Sequence, residues 1–278
     1  MLNDMMRAEI WLQERLGSRE GIDELAERLG YSASQVRRNF KHCFGVSPRV
    51  YREKLRLEHA TMLLAFSQRS IQSIARLCGY QNHSAFTRTF TQRFQTTPRQ
   101  YRNEQQNALE TRFRMQKQEF DVTIHRSEGL QTIVTRLYDD QGLGDSPQRW
   151  PSRTCLSNLP ERLLGNAFIA VIHGHPLNAK LQRADLGIAV DSNTAEEFAP
   201  PLPFRKLSLP YSRYASVCIQ HAGQWQDALT YLLATNLLEG EECISGLPIN
   251  LCWTGMSGLD EDERRTETLE MRLPLVDR

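Results

Sequence analysis

The chain contains no apolar run approaching the roughly 20 residues that a membrane-spanning helix needs. Its first residues do not read as a secretory leader, because Asp4, Arg7 and Glu9 interrupt any apolar stretch. Cysteine is sparse and scattered, at Cys43, Cys78, Cys155, Cys218, Cys243 and Cys252, with no C-x-x-C pair. That spacing excludes a disulfide framework and points to reduced, mostly buried thiols in a cytoplasmic protein. Metal-ligand clusters are missing too. His173 and His175 would share one strand face, but no third ligand stands at a suggestive spacing, so neither metal nor cofactor is expected. Net charge is almost absent, at +1 over 278 residues, and that figure hides a division. Residues 1–118 hold 20 Lys and Arg against 11 Asp and Glu; residues 119–278 hold 14 against 22. The basic part suits a phosphate backbone, whereas the acidic part suits a small molecule or another protein. Length and a 40% hydrophobic content allow two cores.

What is present, in the basic part, is a repeat. Ile22 to Arg52 reads IDELAERLGYSASQVRRNFKHCFGVSPRVYR, and Ile71 to Arg102 reads IQSIARLCGYQNHSAFTRTFTQRFQTTPRQYR. Ile22, Ala26, Gly30 and Tyr31 recur 49 positions later; Ser34, Arg38, Phe40, Phe44, Pro48 and Tyr51 recur 50 positions later. The second copy therefore carries one extra residue just after its turn. Each copy begins with an amphipathic helix, seen in the spacing of Ile22, Leu25, Ala26 and Leu29. Gly30 and Gly79 stand where that helix must stop, since glycine takes positive φ without a Cβ clash. Ser32 and Asn82 are placed to cap the helices that follow. Pro48 and Pro98 each open a further helix, because proline fits a first turn and no interior position.

Two helices joined by a short glycine-containing turn form a helix-turn-helix, whose second helix enters the major groove. Val36, Phe40 and Phe44 are expected inward, which leaves Ser34, Gln35, Arg37, Arg38 and Lys41 outward. In the second copy the outward set is His83, Ser84, Thr87, Arg88 and Thr91, with Arg88 as the main anchor. Arginine in such a place can pair with a guanine edge through two hydrogen bonds. Two copies in register weigh against a helical bundle whose arginines merely solvate its surface.

On these motifs, residues 5–105 resemble the DNA-binding domain of the AraC/XylS family, in which the second copy ends on a phenylalanine-rich helix, a proline and a Tyr-Arg pair, as in FTRTFTQRFQTTPRQYR. The resemblance implies seven helices, with Tyr51 to Ser67 as a rigid connector. It also implies base and phosphate contacts at Ser34, Arg37 and Arg38, and at His83, Ser84, Thr87 and Arg88. Ser34 stands where close stress-regulon members have tryptophan, so no target sequence carries over.

Residues 106–119 are polar and glutamine-rich and read as a linker, in part helical. Beyond them the pattern turns to alternation. Strands are expected at Phe120–His125, Leu130–Tyr138, Asn166–His173, Asp185–Val190, Tyr214–Gln220, Ile249–Thr254 and Thr268–Val276. A short helix is expected within Arg149–Leu164 and a longer one over Gly223–Leu238, with Trp225, Leu229, Leu232 and Leu233 on one face. Strand–helix–strand–strand, occurring twice, indicates an α+β domain with an antiparallel sheet over 120–278. The expected fold class is thus an all-helical domain with two helix-turn-helix units, over 1–105, followed by an α+β domain.

The segment LPYSRYASVCIQHAGQWQDALTYLL and the ending ETLEMRLPLV resemble the GyrI-like effector-binding domain. Many members of that family carry Glu-x-Tyr on the strand after the helix, with the glutamate facing the ligand cavity. In LPINLCWTG, Asn250 takes the glutamate's place and Cys252 the tyrosine's. A buried carboxylate among aromatics favours a cation; asparagine removes that charge. Asn250, with Trp253, Trp225, Tyr214 and Trp150 as aromatic walls, is the candidate site for a neutral aromatic effector, although the same aromatics suit an ordinary core.

Together these readings predict a sequence-specific transcription regulator that binds double-stranded DNA and RNA polymerase, activates stress or multidrug-response genes, and answers to an effector. No membrane association and no catalysis are expected. Some DNA-repair methyltransferases share such a reader, but their Pro-Cys-His-Arg motif is absent, and Cys252 sits in Leu-Cys-Trp. The alternatives for the second domain are a protein-interaction platform and a hydrolase, the latter disfavoured by Asn250 in place of a carboxylate base.

Overall fold

The structure is a computed structural model that describes residues 1–18, 20–137, 150, 154–177, 183–210, 212–220, 222–239, 244–254 and 268–276. Cys243, His221 and the start of the short helix sought after Arg149 lie outside the described residues, Trp150 excepted. The chain divides into two compact units, Met1–Leu64 with Arg69–Arg102, and Ala65–Gln68 with Asn103–Arg278.

The first unit is helical: α1 (Leu2–Glu14), α2 (Ile22–Leu29), α3 (Ala33–Phe44), α4 (Pro48–Phe66), α5 (Ile71–Leu77), α6 (His83–Phe94) and α7 (Pro98–Met115), whose later residues belong to the second unit. The caps follow the sequence. Ser32 Oγ accepts from the Gln35 amide at 3.2 Å, while Gln35 Oε1 accepts from the Ser32 amide at 3.0 Å, a reciprocal capping box. Asn82 Oδ1 accepts from the Ala85 amide at 2.7 Å. Gly30 and Gly79 end α2 and α5 at φ 72° and 77°. The extra residue of the second copy is Gln81, since Tyr80 still follows the glycine while the cap has moved to Asn82. One difference between the copies carries strain: α3 ends on Gly45 at φ 71°, whereas α6 ends on Gln95 at φ 57°, a left-handed conformation that costs a residue with a Cβ about 1–2 kcal/mol.

Each helix pair closes on the long helix after it through the same three rings. Phe40 lies 4.6 Å from Phe44 and 5.4 Å from Tyr51 between centroids; Phe90 lies 4.5 Å from Phe94 and 5.4 Å from Tyr101. One core gathers Trp11, Leu12, Leu25, Val36 and Phe40, and the other gathers Leu57, Leu63, Ile74, Phe86 and Phe90. Helix α4 serves both, with Tyr51 against the first and Leu57 to Leu64 in the second.

The second unit holds β1 (Thr123–Arg126), β2 (Leu130–Arg136), a 3-10 turn at Leu156–Asn158, α8 (Glu161–Leu164), β3 (Phe168–His173), β4 (Arg183–Val190), α9 (Ser192–Glu197), β5 (Arg205–Leu209), β6 (Arg213–Ile219), α10 (Trp225–Ala234) continued by a π turn to Glu239, β7 (Ile249–Thr254) and β8 (Thr268–Pro274). Among the described residues one eight-stranded sheet forms in the order β1-β6-β8-β7-β3-β4-β2-β5, and every pairing is antiparallel. The order reads as two halves, β2-α8-β3-β4 and β6-α10-β7-β8, joined through the central β3–β7 pair. The strand leading each half pairs with the other half, β1 beside β6 and β5 beside β2. Residues 106–115 of the expected linker are helix, because Ala108, Leu109, Glu110, Arg112, Arg114 and Met115 are good helix formers and Leu109 and Phe113 supply an apolar edge. Leu109 is buried, and the Phe113 ring packs 5.5 Å from Tyr231.

A buried ionic hub joins four strands. Arg136 donates from Nε and Nη2 to the two Asp185 oxygens at 2.8 Å each, Arg205 donates from Nη2 to Asp185, and His173 Nε2 lies 2.8 Å from Asp185. Burial would raise the Asp185 carboxyl, but Arg136, Arg205 and His173 hold it well below the ordinary value. Burial, followed by Arg183, pushes His173 down from 6.5 to about 3, so its neutral ring donates to the carboxylate. Burial and Arg112 push His175 to about 4. Between the ordinary histidine value and those lowered ones, the unfolded chain binds protons that the folded domain refuses. Stability therefore falls as pH drops through that interval. His173→Gln removes one of the two groups, worth about 2 kcal/mol between pH 6.5 and pH 5. Its urea midpoint for the second unit should fall less steeply with acid than that of the natural sequence; equal slopes would refute the assignment.

Candidate nucleic-acid interface

The spacing of α3 turns one stripe of side chains outward. Val36 and Phe40 are fully buried, and Ser34, Arg37, Arg38 and Lys41, three or four residues apart, are exposed. Arg37, Arg38 and Lys41 hold no ion pair among the described residues, so three cations stand on one helix face with their donors uncommitted. Gln35 is exposed as well, but its carbonyl oxygen belongs to the capping box with Ser32. That leaves its amide nitrogen to reach outward. The Ser-x-x-Gln spacing was the available signal for this role.

On α6, His83, Ser84 and Arg88 are exposed. Thr87 and Thr91 are half-buried, and the Thr87 hydroxyl is buried without a hydrogen-bond partner. The face of the second helix is thus narrower than its pattern suggests and centred on Arg88. Two further cations escaped the sequence reading. Arg49 and Arg99 are exposed just inside the first turns of α4 and α7, and the repeat carries both, as Ser47-Pro48-Arg49 and Thr97-Pro98-Arg99. The Tyr-Arg pair has a structural part: Arg52 donates to the Glu20 carbonyl and Arg102 to the Arg69 carbonyl, each at 2.6 Å, which ties each long helix to the entry of its helix pair.

The five effector candidates do not form one site. Register places Asn250 beside Val171 and Arg272, on the sheet face that also carries Tyr214, Ile169 and Cys252. Trp253, three residues on, points to the other face. There it meets Phe168 at 5.0 Å and Trp150 at 5.9 Å, and Trp150 meets Trp225 of α10 at 5.9 Å. The three tryptophans form core between that face and α10, and Trp253 turns away from Asn250 because residues an odd number apart on a strand face opposite ways. Tyr214 does share the Asn250 face, with its ring stacked on His125 and under the Arg272 guanidinium, each at 5.0 Å. Asn250 is fully buried, and among the described residues neither its oxygen nor its nitrogen has a hydrogen-bond partner. Among the described residues no group of three or more His, Cys, Asp or Glu could hold a metal ion, and no helix is long and apolar enough to cross a membrane.

Residues 25–104 match a helix-turn-helix domain family. The probable transcription factor PqrA of Proteus vulgaris is 36% identical over 104 residues, which is 37% of this chain and 83% of PqrA. The chain belongs to the AraC/XylS family of helix-turn-helix transcription regulators. RhaS of Escherichia coli, an HTH-type transcriptional activator, is 33% identical over 92 residues, so this AraC/XylS chain spans only 33% of RhaS and is matched over 33% of its own length. The solved C-terminal domain of EcmrR aligns over 58% of this chain and all of its own, with TM-score 0.42 and 9% identity. So loose a likeness carries no function.

For an AraC/XylS reader the exposed arginines make distinct predictions. Arg38→Ala and Arg88→Ala should each cost about 1–3 kcal/mol and relax preference at different positions of the site. Lys41→Ala should weaken all sequences alike. Anisotropy on specific and random duplexes separates the two, and equal losses on both for Arg38→Ala would assign it to phosphate.

Proposed function

We propose that this protein is a two-headed DNA reader that regulates transcription as a single protomer under the control of its C-terminal domain. The observation that carries the reading is the pair of exposed helix faces, on α3 and α6, each beside its own copy of the same three-ring closure. Helix α4, of 19 residues, lies between them and is about 28 Å long. That suits successive major-groove segments about 34 Å apart on one face of DNA. One protomer should then fill an asymmetric site of about two helical turns. Native mass measurement tests this, and two protomers on the minimal site would overturn it. Contact with RNA polymerase, and activation of stress or multidrug-response genes, belong to the same proposal.

For the acidic domain the favoured reading is a small-molecule sensor centred on Asn250. A buried amide with both polar atoms unmet costs about 1–3 kcal/mol per group. A neutral compound offering a donor and an acceptor, with an aromatic body against Tyr214, would recover that cost. A cation would find no charge to meet in Asn250. Permanent cations should therefore bind weakly, and Asn250→Glu should improve them. Micromolar binding of a quaternary amine in calorimetry, unaffected by substitution at Asn250, would place the ligand elsewhere.

A further inference from the structure

The first helix pair bears a notch that the DNA-reading residues do not account for. It is a cavity of about 600 Å³ lined by Leu12, Ile22 and Pro48 on its apolar side and by Arg37, Arg49, Arg52 and Arg56. Glu53 is the only carboxylate among its lining residues. Two of the guanidinium groups are held by neutral backbone: Arg52 donates to the Glu20 carbonyl at 2.6 Å and Arg56 Nε to the Leu16 carbonyl at 2.8 Å. Carbonyls orient a cation without cancelling its charge. The neighbouring acids are engaged otherwise, Glu20 with Arg15 at 2.7 Å and Glu24 with the Gly21 amide at 2.8 Å. Arg52 Nε is buried without an acceptor among the described residues. Burial and then the adjacent Arg56 disfavour the Arg52 charge, while Glu20 and Glu24 favour it.

The surplus belongs to the first copy. Fifty residues on, the places of Arg37, Arg49, Arg52 and Arg56 are taken by Thr87, Arg99, Arg102 and Gln106. A shared fold requires only the Arg52–Arg102 tie; Arg37 and Arg56 are additions of this chain's first copy, and they face the same notch.

We propose that this notch is a phosphate clamp that grips the DNA backbone beside the segment read by α3. Planar guanidinium forks match phosphate oxygens through paired, charge-assisted hydrogen bonds. Arg37 joins the notch to the reading face, since it stands on α3 beside Arg38 and Lys41. A free phosphorylated metabolite offers the same chemistry, but the shared Arg37 favours the duplex. The proposal rests on the DNA-reader assignment and extends it, placing the larger share of sequence-independent grip on the first copy.

The test measures the full chain on specific and random duplexes across a salt series, with Arg49→Ala as the main variant because Arg49 is exposed and holds no other group among the described residues. The slope of log K against log salt should fall in magnitude by about one for Arg49→Ala, and by about two for the Arg37→Ala and Arg49→Ala double variant. Both duplexes should show the same fall for Arg49→Ala, with the preference between them kept. Arg99→Ala, at the equivalent place in the second copy, gives the reference for a lone exposed arginine and should change the slope less. Unchanged slopes for Arg49→Ala and the double variant would overturn the clamp. So would pyrophosphate binding, measured by calorimetry at constant ionic strength, that Arg49→Ala abolishes while the duplex slopes stay put; the notch would then serve a free anion. Absence of duplex binding by the natural sequence would overturn the reader assignment and the clamp together.

Discussion

One hydrogen bond, made twice, sets the geometry of the helical unit. Arg52 and Arg102 each reach from a long helix to the backbone carbonyl just before the first helix of a pair, at Glu20 and at Arg69. The bond fixes where each pair enters, and the three-ring closure fixes how the second helix of the pair lies against the long one. A charge-assisted bond to a carbonyl is directional, whereas apolar packing is not. Cores of Phe, Leu and Ile could accept several relative rotations of α2 on α4. The arginine bond selects one, and the outward stripe of α3 is aimed accordingly. Gly79 is a separate point of close packing: a Cβ there would come within 2.9 Å of the Leu16 carbonyl and 3.1 Å of the Arg56 guanidinium.

The second unit depends on a different constraint. Asp185 is buried and faces two guanidinium groups and a neutral imidazole. Replacing either side alone leaves charge stranded in the sheet, a loss on the order of 3–5 kcal/mol. Such a hub is a poor source of net stability but a strong source of register. It joins β2, β3, β4 and β5 at one set of positions, and a slip of one residue along β4 would turn Asp185 to the opposite face.

Much of the helical unit was legible in the sequence because its signals are local. The caps at Ser32 and Asn82, the glycines at turns and the prolines at helix starts each act within a few residues. Seven strands also followed their alternation, within a few residues at each end, whereas β5 (Arg205–Leu209) was not anticipated. Long-range pairing left no such trace. Arg136 and Asp185 are 49 positions apart, and nothing near either residue announces the other. The stretch after Asn103 read as linker because only Leu109 and Phe113 give it an apolar edge, although its Glu, Gln, Ala, Arg and Met content favours helix. The grouping of Asn250 with Trp253 was avoidable: a separation of three on a strand already places the two on opposite faces.

The two copies have diverged in a way that follows from their chemistry. In the first, Arg37, Arg38 and Lys41 stand uncommitted on one face. In the second, Arg88 stands with His83 and Ser84, flanked by threonines turned partly inward. A cation-rich helix gains most of its free energy from phosphate and loses it as salt rises; a helix with one arginine and short polar groups depends on hydrogen bonds to base edges, which salt affects little. If both faces meet DNA as proposed, the weaker contact would be made at an effective concentration set by α4 rather than by bulk protein. On that reading the second copy would discriminate without holding DNA on its own. On the proposed two-headed reading, a lean second face is compatible with a first copy that keeps an arginine surplus.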